Sequence, residues 1–255
     1  MSAVHLNIVG RIAELRIDNH AKLNSLTAEM LHQLGRHLEA VDGRSDVACL
    51  LIAGEGERAF CAGADINGWG DLSPAEFARR WIREGHRTFD RLARLSKPTI
   101  AVLNGPALGG GLELAAACDL RVMASSATIA LPEAAVGIVP GWSGTQRLAR
   151  LLPESVLKEM VLFGRRLTAD RALQLGFAAE VADDPHAVAK AIADRVCCLS
   201  PRAVETAKWM IHAARGEDRD AMIDALGGAA ISASADRLEG VAAFREKRAP
   251  EFPGT

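Results

Sequence analysis

The chain reads as an α/β protein whose N-terminal part carries the strands and whose C-terminal part is helical, on three observations. Short apolar runs bounded by glycine and proline recur up to about residue 131, at 47–53, 98–103, 120–123 and 128–131. Helical periods alternate with these runs. Beyond about residue 144 strand signals almost vanish and helical periods dominate, over 144–152, 155–163, 168–175, 185–199, 201–214 and 218–246 with breaks.

Residues 5–17 alternate around Gly10 and predict a β-hairpin with Ala13, Leu15 and Ile17 on one face. Thr27 is placed to cap a helix whose apolar positions, Met30, Leu31, Leu34, Leu38 and Val41, fall at helical spacing. The run at 47–53 has no polar alternation, which predicts a strand buried on both faces. A glycine-rich loop follows over 54–70. Ser73-Pro74-Ala75-Glu76 combines an N-cap serine, a proline at the first helical position and a capping-box glutamate, so a helix is expected from there to about Leu95. After the strand at 98–103, Leu112 to Ala117 reads as a short helix.

Composition narrows the classes of function. At 255 residues and 49% hydrophobic content the chain is long enough and apolar enough to bury a sizeable core. A net charge of −2 gives no global attraction to nucleic acid or to an anionic membrane, so an anionic ligand would need local recognition. Five cysteines, Cys49, Cys61, Cys118, Cys197 and Cys198, show no metal-ligand spacing and are expected as reduced thiols in a cytoplasmic compartment. The seven histidines form no metal-binding pattern, and neither Ser25 nor Ser143 has an evident histidine partner in sequence. No secretory leader, membrane span or lipidation signal is expected.

Two glutamates stand out. Glu113 follows Asn104-Gly105-Pro106-Ala107-Leu108-Gly109-Gly110-Gly111-Leu112, and Glu133 follows Leu131-Pro132 and precedes Gly137-Ile138-Val139-Pro140-Gly141. Glycines before a helix let a ligand approach backbone amides closely, and the helix N-terminus favours an oxyanion there; the same glycines would also serve a tight turn. Glu113 sits beside Leu114-Ala115-Ala116-Ala117, apolar surroundings in which a carboxylate is paired or functional. Upstream, Phe60-Cys61-Ala62-Gly63-Ala64-Asp65-Ile66 is suited to exposing further amides. Two carboxyls and free amide donors are a set of groups for proton transfer beside a carbonyl.

Together the segments Ala62-Gly63-Ala64-Asp65-Ile66, Asn104 through Ala115, Leu131-Pro132-Glu133 through Pro140-Gly141, and Gly144-Thr145-Gln146-Arg147-Leu148 resemble the enoyl-CoA hydratase/isomerase (crotonase) superfamily in order and spacing. The resemblance runs from Lys22-Leu23-Asn24-Ser25-Leu26 to Phe244-Arg245-Glu246-Lys247-Arg248. It implies a spiral of strand–strand–helix turns over residues 1–195 and a helical oligomerisation region over 196–255, in a homotrimer or a dimer of trimers. It implies an oxyanion hole from the amides of Ala64 and Gly110, water held and activated by Glu113, and a proton delivered by Glu133, with Gly141 nearby. CoA is then part of the substrate and no separate cofactor or metal is needed. Its adenine and pantetheine are expected along Lys22, Leu23 and Ala62 to Ile66, including Asp65, with Phe244 and Lys247 reaching a neighbouring subunit's CoA.

Two departures from the family pattern bear on substrate. Asn67 stands where many hydratases have lysine, and Trp142 stands where many have a small residue after Pro-Gly. The tryptophan either reshapes the acyl pocket or packs outward. The resemblance thus points to hydration of trans-2-enoyl-CoA thioesters, with a Δ3,Δ2-enoyl-CoA isomerase or another lyase on a specialised acyl-CoA as the alternative. A silent acyl-CoA binder is disfavoured by the two glutamates. A nucleic-acid binder would use Arg79, Arg83, Arg87, Arg91 and Arg94, opposite Phe77, Trp81, Leu92 and Leu95, but Glu76, Glu84 and Asp90 dilute that stripe and no nucleic-acid partner is expected.

Overall fold

A computed structural model describes residues 2–255. The chain opens with the expected hairpin, β1 (Ala3–Val9) and β2 (Ile12–Asp18), paired antiparallel so that Ala13, Leu15 and Ile17 are fully buried. α1 (Ala28–Asp42) starts at Thr27, whose hydroxyl accepts from the Met30 amide, and buries Met30, Leu31, Leu34, Leu38 and Val41. β3 (Cys49–Gly54) is followed by the glycine-rich loop.

Ser73 and Glu76 form the full capping box, starting α2 (Pro74–Glu76). The helix does not run on regularly. Phe77–Ile82 is π-helical before α3 (Arg83–Ala93) resumes the α form. Such π segments are frequent at functional sites, and no feature of the apolar spacing marks the extra residue per turn. β4 (Thr99–Leu103), β5 (Ala107–Leu108), α4 (Gly110–Ala117), β6 (Leu120–Ala124) and β7 (Thr128–Ala130) follow.

Next come α5 (Gly144–Leu151), α6 (Glu154–Leu162), β8 (Leu167–Thr168), α7 (Ala169–Gln174), β9 (Glu180–Ala182) and α8 (Pro185–Cys197). The near-absence of strands after residue 144 is therefore corrected by β8 and β9. They are two and three residues long, too short to carry a readable alternation.

The main sheet has the order β1-β2-β3-β4-β6-β9, parallel from β2 onward; β5, β7 and β8 form a smaller sheet. Alternate residues of β3 enter two different cores. Leu50 and Ile52 face the large cluster containing α1, Phe60, Phe89 and Leu103. Cys49, Leu51 and Ala53 face Ile100, Val102 and Val122, covered by Ala189 and Ala193 of α8. Burial on both sides explains the unbroken apolar run, as parallel central strands require.

The chain forms two compact units, the first ending at Pro201 and the second spanning Arg202–Thr255. The second consists of α9 (Pro201–Ala214, all but its first residue), α10 (Arg219–Ser232), α11 (Ala235–Glu246) and a tail. Within it the tail is tied to α11: Arg248 donates to both carboxylate oxygens of Glu239, at 2.6 and 2.9 Å, and the Gly254 amide donates to Asp236. Among the described residues no helix is long and apolar enough to cross a membrane.

Candidate active site

The first wall of the site is the 62–66 segment. Leu26 and Ala64 form a parallel bridge in which the Leu26 amide donates to Gly63 and the Asp65 amide donates to Leu26. A residue at the centre of such a bridge points its own amide to the opposite side, so the Ala64 N–H faces away from Leu26. The Lys22-Leu23 loop is drawn against the same segment: the Ala62 amide donates to Leu23 at 2.9 Å, and Lys22 Nζ lies 2.7 Å from Asp65. Asn24, fully buried, ties this loop down by donating to the Glu55 and Ala59 carbonyls. Asn67 lies in a short 3-10 turn capped by Asp65, and Ile66 is half exposed.

α4 supplies the second wall. It begins at Gly110, two residues earlier than the apolar run indicates, because the helix start must pass close to other backbone and rings. A Cβ on Gly111 would lie 2.1 Å from the Cys61 carbonyl oxygen, and one on Gly110 would lie 2.6 Å from the Trp142 ring. The glycines are therefore close-approach residues and not merely a tight turn. As the first helical residue Gly110 has no intrahelical acceptor for its amide. The position of a Cβ there would be 3.6 Å from the Ala64 amide nitrogen, so the two amides adjoin.

Glu113, on the first turn of α4, is 2% exposed. Its Oε1 accepts from the amides of Trp142 at 2.8 Å and Gly144 at 2.7 Å. Burial pushes its pKa up; the amides of Trp142, Gly144 and Gly141 and the charge of Arg147 oppose that rise. Glu133 begins a 3-10 turn after Pro132 and is 8% exposed. Its Oε2 is buried with no hydrogen-bond partner among the described residues. Burial pushes its pKa up to about 7, the neighbouring Glu113 carboxylate adding to the rise. Both carboxyls are thus raised by burial, and they differ in that three backbone amides of a neighbouring turn offset part of the rise at Glu113.

Both glutamates line one cleft with Ala62, Gly63, Ala64, Gly109, Gly110, Gly141 and Trp142. The Trp142 ring packs inward. It is 2% exposed, 5.4 Å from the Trp81 ring and 5.2 Å from the Phe89 ring, and its Nε1 donates to the Trp81 carbonyl. Trp69, Phe77, Trp81, Ile82, Pro132, Ile138 and Val139 complete the cleft. Of these, Trp69, Phe77, Trp81 and Ile82 lie outside the motifs, whereas Pro132, Ile138 and Val139 stand in the Glu133 segment. The signal that could have found Phe77 and Trp81 is their place on the apolar side of the helix after Ser73. Phe244 and Lys247 lie in the second unit, where Phe244 is 86% exposed and Lys247 ends α11 in a left-handed conformation.

Two further side chains depart from expectation. Ser143, read as lacking a histidine partner, has its Oγ 2.6 Å from His86 Nδ1. The two lie far apart in sequence and meet only because α3 packs against the turn before α5. Arg91, counted in the arginine stripe, is engaged with the Gly35 carbonyl and Glu39 of α1. Among the described residues no group of three or more His, Cys, Asp and Glu side chains is placed to hold a metal.

A sequence model of the enoyl-CoA hydratase/isomerase family matches residues 7–255. The chain is 33% identical over 254 residues to a short-chain-enoyl-CoA hydratase of Clostridium acetobutylicum, covering 97% of this chain and 96% of the relative. It is 34% identical over 262 residues to a carnitinyl-CoA dehydratase of Proteus mirabilis, covering 99% and 98%. The crystal structure of an enoyl-CoA hydratase from Bacillus anthracis superposes with a TM-score of 0.81 at 32% identity, covering 99% of each chain. Fold and sequence together define a crotonase-type α/β protein. The chain belongs to the enoyl-CoA hydratase/isomerase family.

Proposed function

We propose that the protein hydrates trans-2-enoyl-CoA thioesters to 3-hydroxyacyl-CoA by reversible syn addition of water. The observation that carries this reading is the unequal pair of carboxyls on one cleft, Glu113 bonded to backbone amides and Glu133 without a partner for Oε2. The thioester oxygen is received by the Ala64 and Gly110 amides. As water adds at C3, negative charge builds on that oxygen, and a donor positioned there contributes about 2.7–4 kcal/mol in comparable sites. Glu113, ionised, holds the water through its remaining oxygen and takes its proton. Glu133, protonated near neutrality, delivers a proton to C2.

CoA enters as part of the substrate, and the acid, base and oxyanion donors of this reading are all protein groups, so no separate cofactor or metal is required. Its nucleotide and pantetheine run along Lys22, Leu23, Ala62, Asp65 and Ile66, with Phe244 and Lys247 serving the CoA of a neighbouring subunit in a homotrimer. The exposure of Ile223, Ile231, Leu238 and Phe244 in the second unit supports such an assembly.

A second reading, a lyase acting on a specialised acyl-CoA, is favoured by Trp142, whose ring occupies space against Gly110. Incubation with crotonyl-CoA separates the two. Loss of the conjugated enoyl-thioester absorbance with a gain of one water by mass is the expected result. An unchanged substrate, in a preparation that binds CoA esters, would remove simple enoyl hydration and leave the specialised substrate.

A further inference from the structure

Ser143 is one of five non-glycine residues with positive φ among the described residues, at φ 71° and ψ 17°. Its neighbours on either side, Trp142 and Gly144, provide the two amides that bond Glu113. A left-handed serine is disfavoured by its Cβ, and a residue kept there is held by its surroundings. The surroundings are specific. Ser143 is 8% exposed, and its hydroxyl meets His86 Nδ1 at 2.6 Å. The other ring nitrogen, His86 Nε2, lies 3.3 Å from Asp90 and 3.5 Å from the same Ser143 hydroxyl. With the Nε2 proton directed at Asp90, Nδ1 accepts from the Ser143 hydroxyl. Asp90 also pairs with Arg147, whose other arm donates to the Trp142 carbonyl at 3.4 Å. Trp142 and Ser143 are thereby both linked to one aspartate on α3.

We propose that His86, backed by Asp90 and Arg147, is a positioning residue that keeps the Trp142–Gly144 turn in the left-handed conformation that presents its amides to Glu113. His86 does not line the cleft and touches no reacting atom. It acts through Ser143, and Glu113 loses amide donors when the turn relaxes. This inference rests on the hydratase reading for its kinetic readout, but not for its structural one.

The experiment is a double-mutant cycle of His86→Ala and Ser143→Gly. Glycine adopts a positive φ without help from a side chain. His86→Ala alone is expected to lower kcat about 10- to 100-fold with little change in KM, as misplacement of a catalytic group does. In the Ser143→Gly background the same removal is expected to change kcat less than about twofold, the non-additivity of residues acting as one unit. The second readout is the carboxyl resonance of Glu113 in protein carrying 13C-labelled glutamate, assigned by its loss in Glu113→Gln. Its titration should move to higher pH in His86→Ala and return in the double variant. Equal losses in both backgrounds, or an unmoved Glu113 titration in His86→Ala, would overturn the proposal. If the wild-type protein hydrates no enoyl-CoA, the kinetic cycle is silent and the carboxyl titration alone decides, so the two failures stay distinguishable.

Discussion

Glu113 and Glu133 are the same side chain on the same cleft, yet their surroundings divide them. Glu113 enters from a helix and meets a turn whose amides converge on one of its oxygens. Glu133 enters from a 3-10 turn, with Oε2 buried and unpartnered. Burial raises both; against that rise Glu113 has the amides of Trp142, Gly144 and Gly141, whereas Glu133 has only its own backbone amide. The difference teaches that acid and base roles need not be written in residue type. In the proposed reading they follow from how many N–H groups each carboxyl is offered, three from a neighbouring turn for Glu113 and one, its own, for Glu133.

The comparison breaks most sharply under isosteric removal of charge. Glu113→Gln and Glu133→Gln are each expected to lower hydration kcat by about 10²–10⁴, while CoA-ester binding measured by calorimetry persists. Near-wild-type turnover in either would dissolve the division of roles. A subtler change attacks only Glu113. A Cβ on Gly144 would lie 2.4 Å from Glu113 Cγ, so Gly144→Ala is expected to displace that carboxyl alone. A kcat loss on the order of 10²-fold is expected, together with a lowered melting temperature; full activity would mean that Glu113 tolerates movement.

The Glu133 side is sharpened by pH. Its folded pKa of about 7 stands above the ordinary carboxyl value of 4.5. The native state therefore holds a proton that the unfolded chain has released between those two values, and ∂ΔG/∂pH of unfolding is negative there. The stability associated with the protonated form is fully present below about 4.5 and lost as the pH rises through about 7. Glu133→Gln should flatten the melting-temperature profile across that interval. It should also abolish the fall in hydration kcat/KM above about pH 7. A wild-type profile without either slope would place the proton elsewhere. The smallest expected effect on turnover of the simplest substrates comes from Trp142→Ala, which leaves both carboxyls intact. It should destabilise by about 3–5 kcal/mol through the cavity it leaves. Preference should shift toward bulkier acyl groups by about tenfold, read as kcat/KM over a chain-length series; an unchanged preference would put the ring outside the acyl path.

Much of this was legible in the sequence because it depends on local chemistry. The capping box at Ser73, the Thr27 cap and the apolar stripe of α1 state their own conformations. The motif around Gly109-Gly110-Gly111 and Glu113 could be matched to a family by order and spacing. What stayed hidden depends on distant segments meeting. The π segment at Phe77–Ile82 answers to packing, not to a period. β8 and β9 are too short to alternate. The His86–Ser143 contact joins two elements that no motif links. The inward packing of Trp142, open on sequence grounds, is settled by Trp81 and Phe89.

Position 85 on α3 is where that packing reaches beyond the present molecule. A Cβ there would stand 2.2 Å from the Trp142 indole nitrogen, against a ring already confined by two other aromatic side chains. Positions 85 and 142 are therefore not free to change in any order. Glycine at 85 accommodates a small residue at 142 as readily as a tryptophan, whereas tryptophan at 142 admits only glycine at 85. A chimaera that transplants the 140–144 loop into a relative must carry residue 85 with it.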